Sequence, residues 1–325
     1  MPQPVKRSLW QRLLWGGLVL AVTAALLLRT QLVRDLWSGL TYQPTAAVVE
    51  IRDDLALSGY GKRVFAATQP ALETSETFNT HCAQLGAETN VLGCYITNDD
   101  RIYVYAVTRE ELKVSNKSTM AHELLHAVWE RLSETERQEL AELLEQVYAE
   151  NEELLGEVLG YYEATDRQTE LFARLGTEIG ELPAELERYY ARVFTDRQRI
   201  VQYYQQYAEP LAELREKIEQ LKLTILSTKY EITAERDEYE RQLKDLDQRI
   251  QRFNSCANQA GCFTTTTFNA ERRQLERRQT ELNEQRDQLN AKILANNARI
   301  EQFNAYQAEL GALSDAMDST AVVGE

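Results

Sequence analysis

Hydrophobic positions in the second half of the chain recur at alternating steps of three and four residues. The repeat begins after Pro210, slips in register around 239–243 and is interrupted by a polar stretch at 254–267. Its first part places the following residues on one seam: Leu211, Leu214, Ile218, Leu221, Ile225, Thr228 and Ile232. Such steps put apolar side chains on one helix face, where a partner helix covers them. The pattern therefore predicts an antiparallel coiled-coil hairpin at 208–315, followed by a disordered tail at 316–325.

The middle of the chain carries two different hydrophobic patterns. Residues 90–97 and 101–108 are rich in β-forming residues and flank Asn98-Asp99-Asp100, which is typical of a β-hairpin. From residue 111 onward the apolar positions follow the helical period instead. We therefore expect an α+β fold at 42–207, in which a β-hairpin or small sheet packs with helices.

The N-terminal segment contains a long uncharged run. Leu13 to Leu28 comprises 16 residues without charge, flanked by arginines and by tryptophans. A membrane-spanning helix needs about 20 residues and tolerates about 17–25. We therefore predict a short transmembrane anchor at 1–37, with a cytoplasmic N-terminus and with residues 38–325 outside the cytoplasm. A cleaved signal peptide is the alternative, because Val22-Thr23-Ala24 offers small residues to a signal peptidase, and the product would then be secreted.

Charge and cysteine content limit the partners and the compartment. The formal net charge is −15, so a nucleic acid is excluded as a partner because its phosphates would repel the chain. Cys82 with Cys94, and Cys256 with Cys262, form two sequence-local pairs. They predict two disulfides in an oxidising compartment. A zinc site made of four cysteines is the alternative, although neither pair has the short CxxC spacing.

The chemistry of the chain is concentrated in His122-Glu123-Leu124-Leu125-His126, an HExxH motif that uses two of its three histidines. Residues four apart lie on one face of a helix, so both imidazoles can reach a single ion. Glu123 directly follows His122, so its carboxylate lies beside the ion and can accept a proton from metal-bound water. The motif predicts a Zn²⁺ site of a hydrolase, with His122 and His126 as ligands and Glu123 as the general base.

A third ligand is suggested by a second motif. Composition does not identify it, because carboxylates are abundant after the motif and His81, the remaining histidine, reads as an ordinary surface or partly buried residue. Thr169-Glu170-Leu171-Phe172-Ala173 resembles the second-helix motif of the gluzincin metallopeptidases. The wide gap after His126 is similar to that in the lethal factor-like branch of this group. The resemblance implies that Glu170 is the third metal ligand, with Glu163 as the alternative.

The same resemblance, which covers about residues 90–190, implies further roles. A tyrosine shortly before the ligating glutamate stabilises the oxyanion in the lethal factor-like branch, and Tyr162 or Tyr161 stands near that place. Packing in the core is the alternative role for both tyrosines. In gluzincins an extended substrate lies along a sheet edge above the motif helix, and 101–108 resembles that edge strand.

These features predict a membrane-anchored, extracytoplasmic zinc metalloendopeptidase that acts on a peptide or protein. The coiled-coil hairpin would be free to bind a protein partner. The alternative is a membrane-tethered coiled-coil scaffold or sensor, in which the zinc site is structural or vestigial. Glu123 distinguishes the two, because a purely structural site has no need of a general base.

Overall fold

A computed structural model describes residues 9–82, 91–152, 155 and 164–320 of the chain. Two compact units are present: Met1–Glu209 together with Leu313–Glu325, and Pro210–Ala312. The described part is mostly helical and contains three short strands. The predicted α+β class is therefore wrong, because the β-rich runs yield strands of only a few residues while the rest of the domain is helical.

The first unit is built in chain order from helices with a small sheet between them. Its N-terminal elements are α1 (Leu9–Thr41), α2 (Ala46–Asp54), α3 (Gly59–Ala67), β1 (Ala71–Glu73) and α4 (Ser75–Cys82). They are followed by β2 (Gly93–Ile96), β3 (Arg101–Tyr105), α5 (Ser115–Glu130), α6 (Glu134–Glu150), α7 (Ala164–Glu178) and α8 (Ala184–Tyr190). Two long helices, α9 (Arg197–Ala257) and α10 (Thr265–Ala316), pass from one unit into the other.

Helix α1 corrects the prediction for the N-terminal segment. Within the described residues, no helix is both long enough and apolar enough to cross a membrane. The uncharged run is short. Helix α1 continues beyond it, and its later residues contact other elements of the first unit. Asp35 forms an ion pair with Arg131 at 2.8 Å, and the hydroxyl of Ser38 donates a hydrogen bond to the carbonyl of Ala67 at 2.7 Å. The predicted transmembrane helix and the single-pass membrane location are therefore wrong.

The sheet has the strand order β1-β3-β2, so β3 is its central strand. Strand β3 runs parallel to β1 and antiparallel to β2. Ile102 and Val104 face the main core, whereas Tyr103 on the opposite face packs with Phe78 of α4. A disulfide between Cys82 and Cys94 joins α4 to β2, as predicted. The sheet is therefore fixed on one face by α4 and packs on the other against the main core.

Helices α5 and α7 meet in that core. Trp129 of α5 lies against Phe172 of α7, with ring centroids 5.5 Å apart. Gly176 allows the close approach, because a Cβ atom there would lie 2.4 Å from Leu125 Cδ1 and 2.6 Å from Tyr190 Cε1. Two elements far apart in sequence are thus held side by side, and both carry residues of the candidate site.

A buried ion cluster joins the end of α5 to α1 and to the turn between β2 and β3. The guanidinium of Arg131, whose side chain is 5% exposed, lies 2.8 Å from Asp35 and 2.7 Å from Asp100. The hydroxyl of Tyr95 donates a further hydrogen bond to Asp100 at 2.8 Å. One cation therefore satisfies two carboxylates that have little access to water.

We expect Arg131→Met to lower the free energy of unfolding by about 3–5 kcal/mol, since it would leave two buried carboxylates without their cation. Denaturant unfolding followed by circular dichroism measures the change. Arg52→Met is the control, because Arg52 pairs with Asp53 at a solvent-exposed position. Exposed pairs contribute about 0–1 kcal/mol. Equal stability losses in the two variants would contradict the structural role of the cluster.

The second unit contains the paired parts of α9 and α10. Arg249 pairs with Glu271 at 3.1 Å, and the guanidinium of Arg278 donates to the side chain of Gln242 at 2.7 Å. Residue numbers fall along one helix as they rise along the other, so the two helices are antiparallel. Their contact buries the following leucines: Leu246, Leu275 and Leu282. The disulfide predicted between Cys256 and Cys262 is present where the two helices join.

Candidate metal centre

Helix α5 presents two imidazoles to one carboxylate of α7. His122 Nε2 and His126 Nε2 lie 3.1 Å apart, and Glu170 Oε2 lies 3.6 Å from the first and 3.4 Å from the second. A tetrahedral ion with bonds of about 2.0–2.1 Å would separate its ligand atoms by about 3.3–3.4 Å. The three atoms therefore have the spacing of one face of such a tetrahedron, and the group can hold a metal ion.

The site carries the charge distribution that a cation requires. The Glu170 side chain is only 4% exposed, while those of His122 and His126 are 18% and 16% exposed. Burial lowers the pKa of His122, but the negative charge of Glu170, its hydrogen bond to the imidazole and the charge of Glu123 together raise that pKa to about 9. Burial alone would raise the pKa of Glu170. The charges and hydrogen bonds of the neighbouring imidazoles outweigh this effect and lower that pKa well below its ordinary value. A metal ion would thus replace a proton that this site already attracts.

The second nitrogen of His126 also has a partner. Its Nδ1 lies 2.9 Å from the hydroxyl of Thr169, the residue that directly precedes Glu170. A hydrogen bond at Nδ1 fixes the ring so that Nε2 points at the ion. Thr169 belongs to the motif that indicated Glu170, but no role was predicted for it from the sequence. Its position next to a ligand was the available signal.

Arg174 connects the carboxylate of Glu170 to a second buried carboxylate. Its Nε donates to Glu170 Oε1 at 2.6 Å, and its Nη1 donates to Glu178 Oε1 at 3.0 Å. Burial raises the pKa of Glu178, although Arg174 opposes this shift, as does a hydrogen bond between Glu178 and Tyr204 of α9. The four-residue spacing of Glu170, Arg174 and Glu178 places all three on one face of α7.

Glu123, the predicted general base, is buried between α5 and the sheet. It lies close enough to His122 for its charge to help raise the pKa of that imidazole. Strand β2 begins directly against it. A Cβ atom at Gly93 would lie 2.8 Å from both Cγ and Oε1 of Glu123, and 2.6 Å from Cγ2 of Thr119. Gly93 is therefore a residue of the site that was not predicted from the sequence, in which a lone glycine within a β-rich run was the available signal.

The structure thus brings together His122, His126 and Glu170, the three residues predicted as metal ligands. His81 is on the other side of the sheet, where its ring stacks on Tyr103 at 4.0 Å. Glu163, Tyr161 and Tyr162 lie outside the described residues, so their roles stay predictions.

Comparison with known proteins finds no match for the chain. No family model matches it, and no match is found among curated proteins or among solved structures. The likeness to gluzincins therefore rests on the motif residues alone, and any function has to be argued from the site itself.

Proposed function

We propose that this protein is a zinc-dependent metallopeptidase that hydrolyses peptide bonds. The observation that carries the proposal is the ligand group, with two imidazole nitrogens and one carboxylate oxygen 3.1–3.6 Å apart. Nitrogen ligands favour Zn²⁺ over Mg²⁺ or Ca²⁺, which prefer oxygen. A buried carboxylate, Glu123, stands beside this group on the same helix.

The number of ligands supports a catalytic site over a structural one. Structural zinc sites are closed by four protein ligands, whereas catalytic sites have three and leave one position for water. Among the described residues, the metal-binding group has three members: His122, His126 and Glu170. A group of three ligands favours a hydrolase over the alternative of a coiled-coil scaffold in which the metal ion is structural.

The residues of the chain divide the chemistry between them. Bound zinc supplies Lewis acidity, which makes water more acidic and a carbonyl carbon more electrophilic. Glu123 accepts the proton of the attacking water and returns it to the leaving amine. Thr169 holds His126 in the orientation that the ion needs. Tyr161 and Tyr162 stay candidates for binding the oxyanion.

The described sheet suggests where an extended substrate would bind. The strand predicted as the edge, at 101–108, corresponds to β3, which is central and paired on both sides, so that prediction is wrong. Strand β2 is an edge strand, and its first residue, Gly93, touches Glu123. A peptide that pairs with β2 through its main chain would bring a peptide bond to the general base with little sequence selectivity.

Metal content tests the site directly. We expect the full chain, loaded with zinc and dialysed, to retain one zinc ion per molecule by elemental analysis. Glu170→Gln should lose that zinc, because an amide is a poor ligand, while Glu163→Gln, the alternative ligand, should keep it. A wild-type protein without zinc, or loss of zinc only in Glu163→Gln, would contradict the proposed ligand set. Cleavage of a fluorogenic peptide library by the zinc-loaded protein then tests the peptidase activity.

A further inference from the structure

The two oxygens of the Glu170 carboxylate have different surroundings. Oε2 faces the Nε2 atoms of both histidines, at 3.6 and 3.4 Å. Oε1 instead accepts the hydrogen bond from Arg174 Nε, at 2.6 Å. Both side chains are largely shielded from water, with 4% of Glu170 and 17% of Arg174 exposed. A charge-assisted hydrogen bond in such surroundings is strong and costly to break.

We propose that Arg174 is a positioning residue that holds Glu170 as a one-oxygen metal ligand and thereby keeps the fourth coordination position open to water. This inference rests on the proposed function, since only a hydrolase needs that open position. If Glu170 were to bind with both oxygens, Oε1 would have to leave Arg174 and turn to the ion. The ion would then have four protein donor atoms, and water would have to compete for a place.

Arg174 is itself held in place by a second carboxylate, that of Glu178. A guanidinium carries donors in a rigid fork, so Nε and Nη1 can point at two different carboxylates at once. Nη1 donates a hydrogen bond to Glu178 Oε1 at 3.0 Å, and Glu178 forms a further hydrogen bond with the side chain of Tyr204. The negative charge of Glu178 also balances the positive charge of Arg174, which would otherwise repel a cation bound nearby. Lysine donates from a single nitrogen on a flexible stem, so it cannot reproduce the fixed geometry in which two separate nitrogens each hold one carboxylate.

The test uses Co²⁺ bound to the full-length protein in place of zinc. Four-coordinate Co²⁺ absorbs visible light several-fold more strongly than five-coordinate Co²⁺, so the band intensity reports how many atoms bind the ion. We expect a strong band for the wild type and a several-fold weaker band for Arg174→Met and Arg174→Lys. Their zinc affinity, measured by competition with a chelator, should also fall by about 10- to 100-fold.

Arg167→Met is the matched control, because Arg167 lies on the same helix but pairs with Glu145 at the surface. It should keep the wild-type spectrum and affinity. Arg174→Lys keeps a buried cation, so it tests the inference even if Arg174→Met does not fold. Wild-type spectra and zinc affinity in the folded Arg174 variants would overturn the role of Arg174.

The failures of the two proposals are distinguishable. A wild-type protein that binds neither Co²⁺ nor zinc would overturn the metal site, and the role of Arg174 with it. A wild-type protein that binds Co²⁺ with a strong band but cleaves no peptide when zinc-loaded would overturn the peptidase activity alone. Weak bands in the Arg174 variants would still support the one-oxygen ligation in that case.

Discussion

Replacement of Glu123 by glutamine is expected to leave zinc binding intact and to reduce peptide hydrolysis by about 100- to 10,000-fold, the range for loss of a general base. Glutamine has nearly the same shape as glutamate, so it fits the buried place beside the sheet. It has no basic oxygen to accept a proton from water. The ligand atoms belong to other residues, so the ion should stay bound. The measurements are kcat/KM on a fluorogenic peptide and zinc content of the same samples.

Glu130→Gln provides the control for this loss. Glu130 is the last residue of the helix that carries Glu123. It is exposed, and it forms an ion pair with Arg137 at 3.6 Å. Its replacement should leave both zinc content and hydrolysis unchanged. If Glu123→Gln cleaved peptides at the wild-type rate, another group would have to accept the proton, and the assignment of Glu123 would be wrong.

Replacement of Gly93 by alanine is the second large expected effect. The added Cβ would lie 2.8 Å from Glu123 Cγ and Oε1, so the glutamate or the strand has to move. A general base displaced by even about 1 Å can lose about 100-fold in rate. We therefore expect kcat/KM to fall by about 100-fold, with an overpacking cost of about 1–3 kcal/mol in stability. Zinc content should be retained, because the contacts of the added methyl group fall on Glu123 and Thr119 rather than on the ligands.

Gly59→Ala separates this effect from the general cost of replacing a glycine. A Cβ at Gly59 would meet nothing within 4 Å. That variant should keep its activity and its zinc. If Gly93→Ala kept wild-type kcat/KM while remaining folded, the start of β2 would not determine the position of Glu123, and a substrate site at this strand edge would lose its main support.

Features that depend on local spacing were predictable from the sequence. The i, i+4 geometry of a helix alone brings His122 and His126 together, without any tertiary contact. The disulfides could be paired because each joins cysteines separated by only 12 or 6 positions. The proximity of Glu170 to these histidines required a motif resemblance, since it depends on how α5 and α7 pack.

Features that depend on tertiary packing were not predictable in this way. Gly93 acquires its role only because β2 lies directly on α5. The strand order was missed because β1 has three residues, too few for a recognisable pattern. The anchor was mispredicted because hydropathy describes a segment by itself. It carries no information that Asp35 would bind an arginine 96 positions further along the chain.

The ion cluster around Arg131 sets a practical limit on how the protein can be shortened. A fragment starting at residue 38, the boundary suggested by hydropathy, would lack Asp35 and leave Arg131 with Asp100 as its remaining carboxylate. It would also lack Gln31, whose amide bonds to both carboxylates, at 3.0 and 3.4 Å. Fragments for crystallisation or enzymology should therefore begin before Gln31, or they will start from a weakened domain.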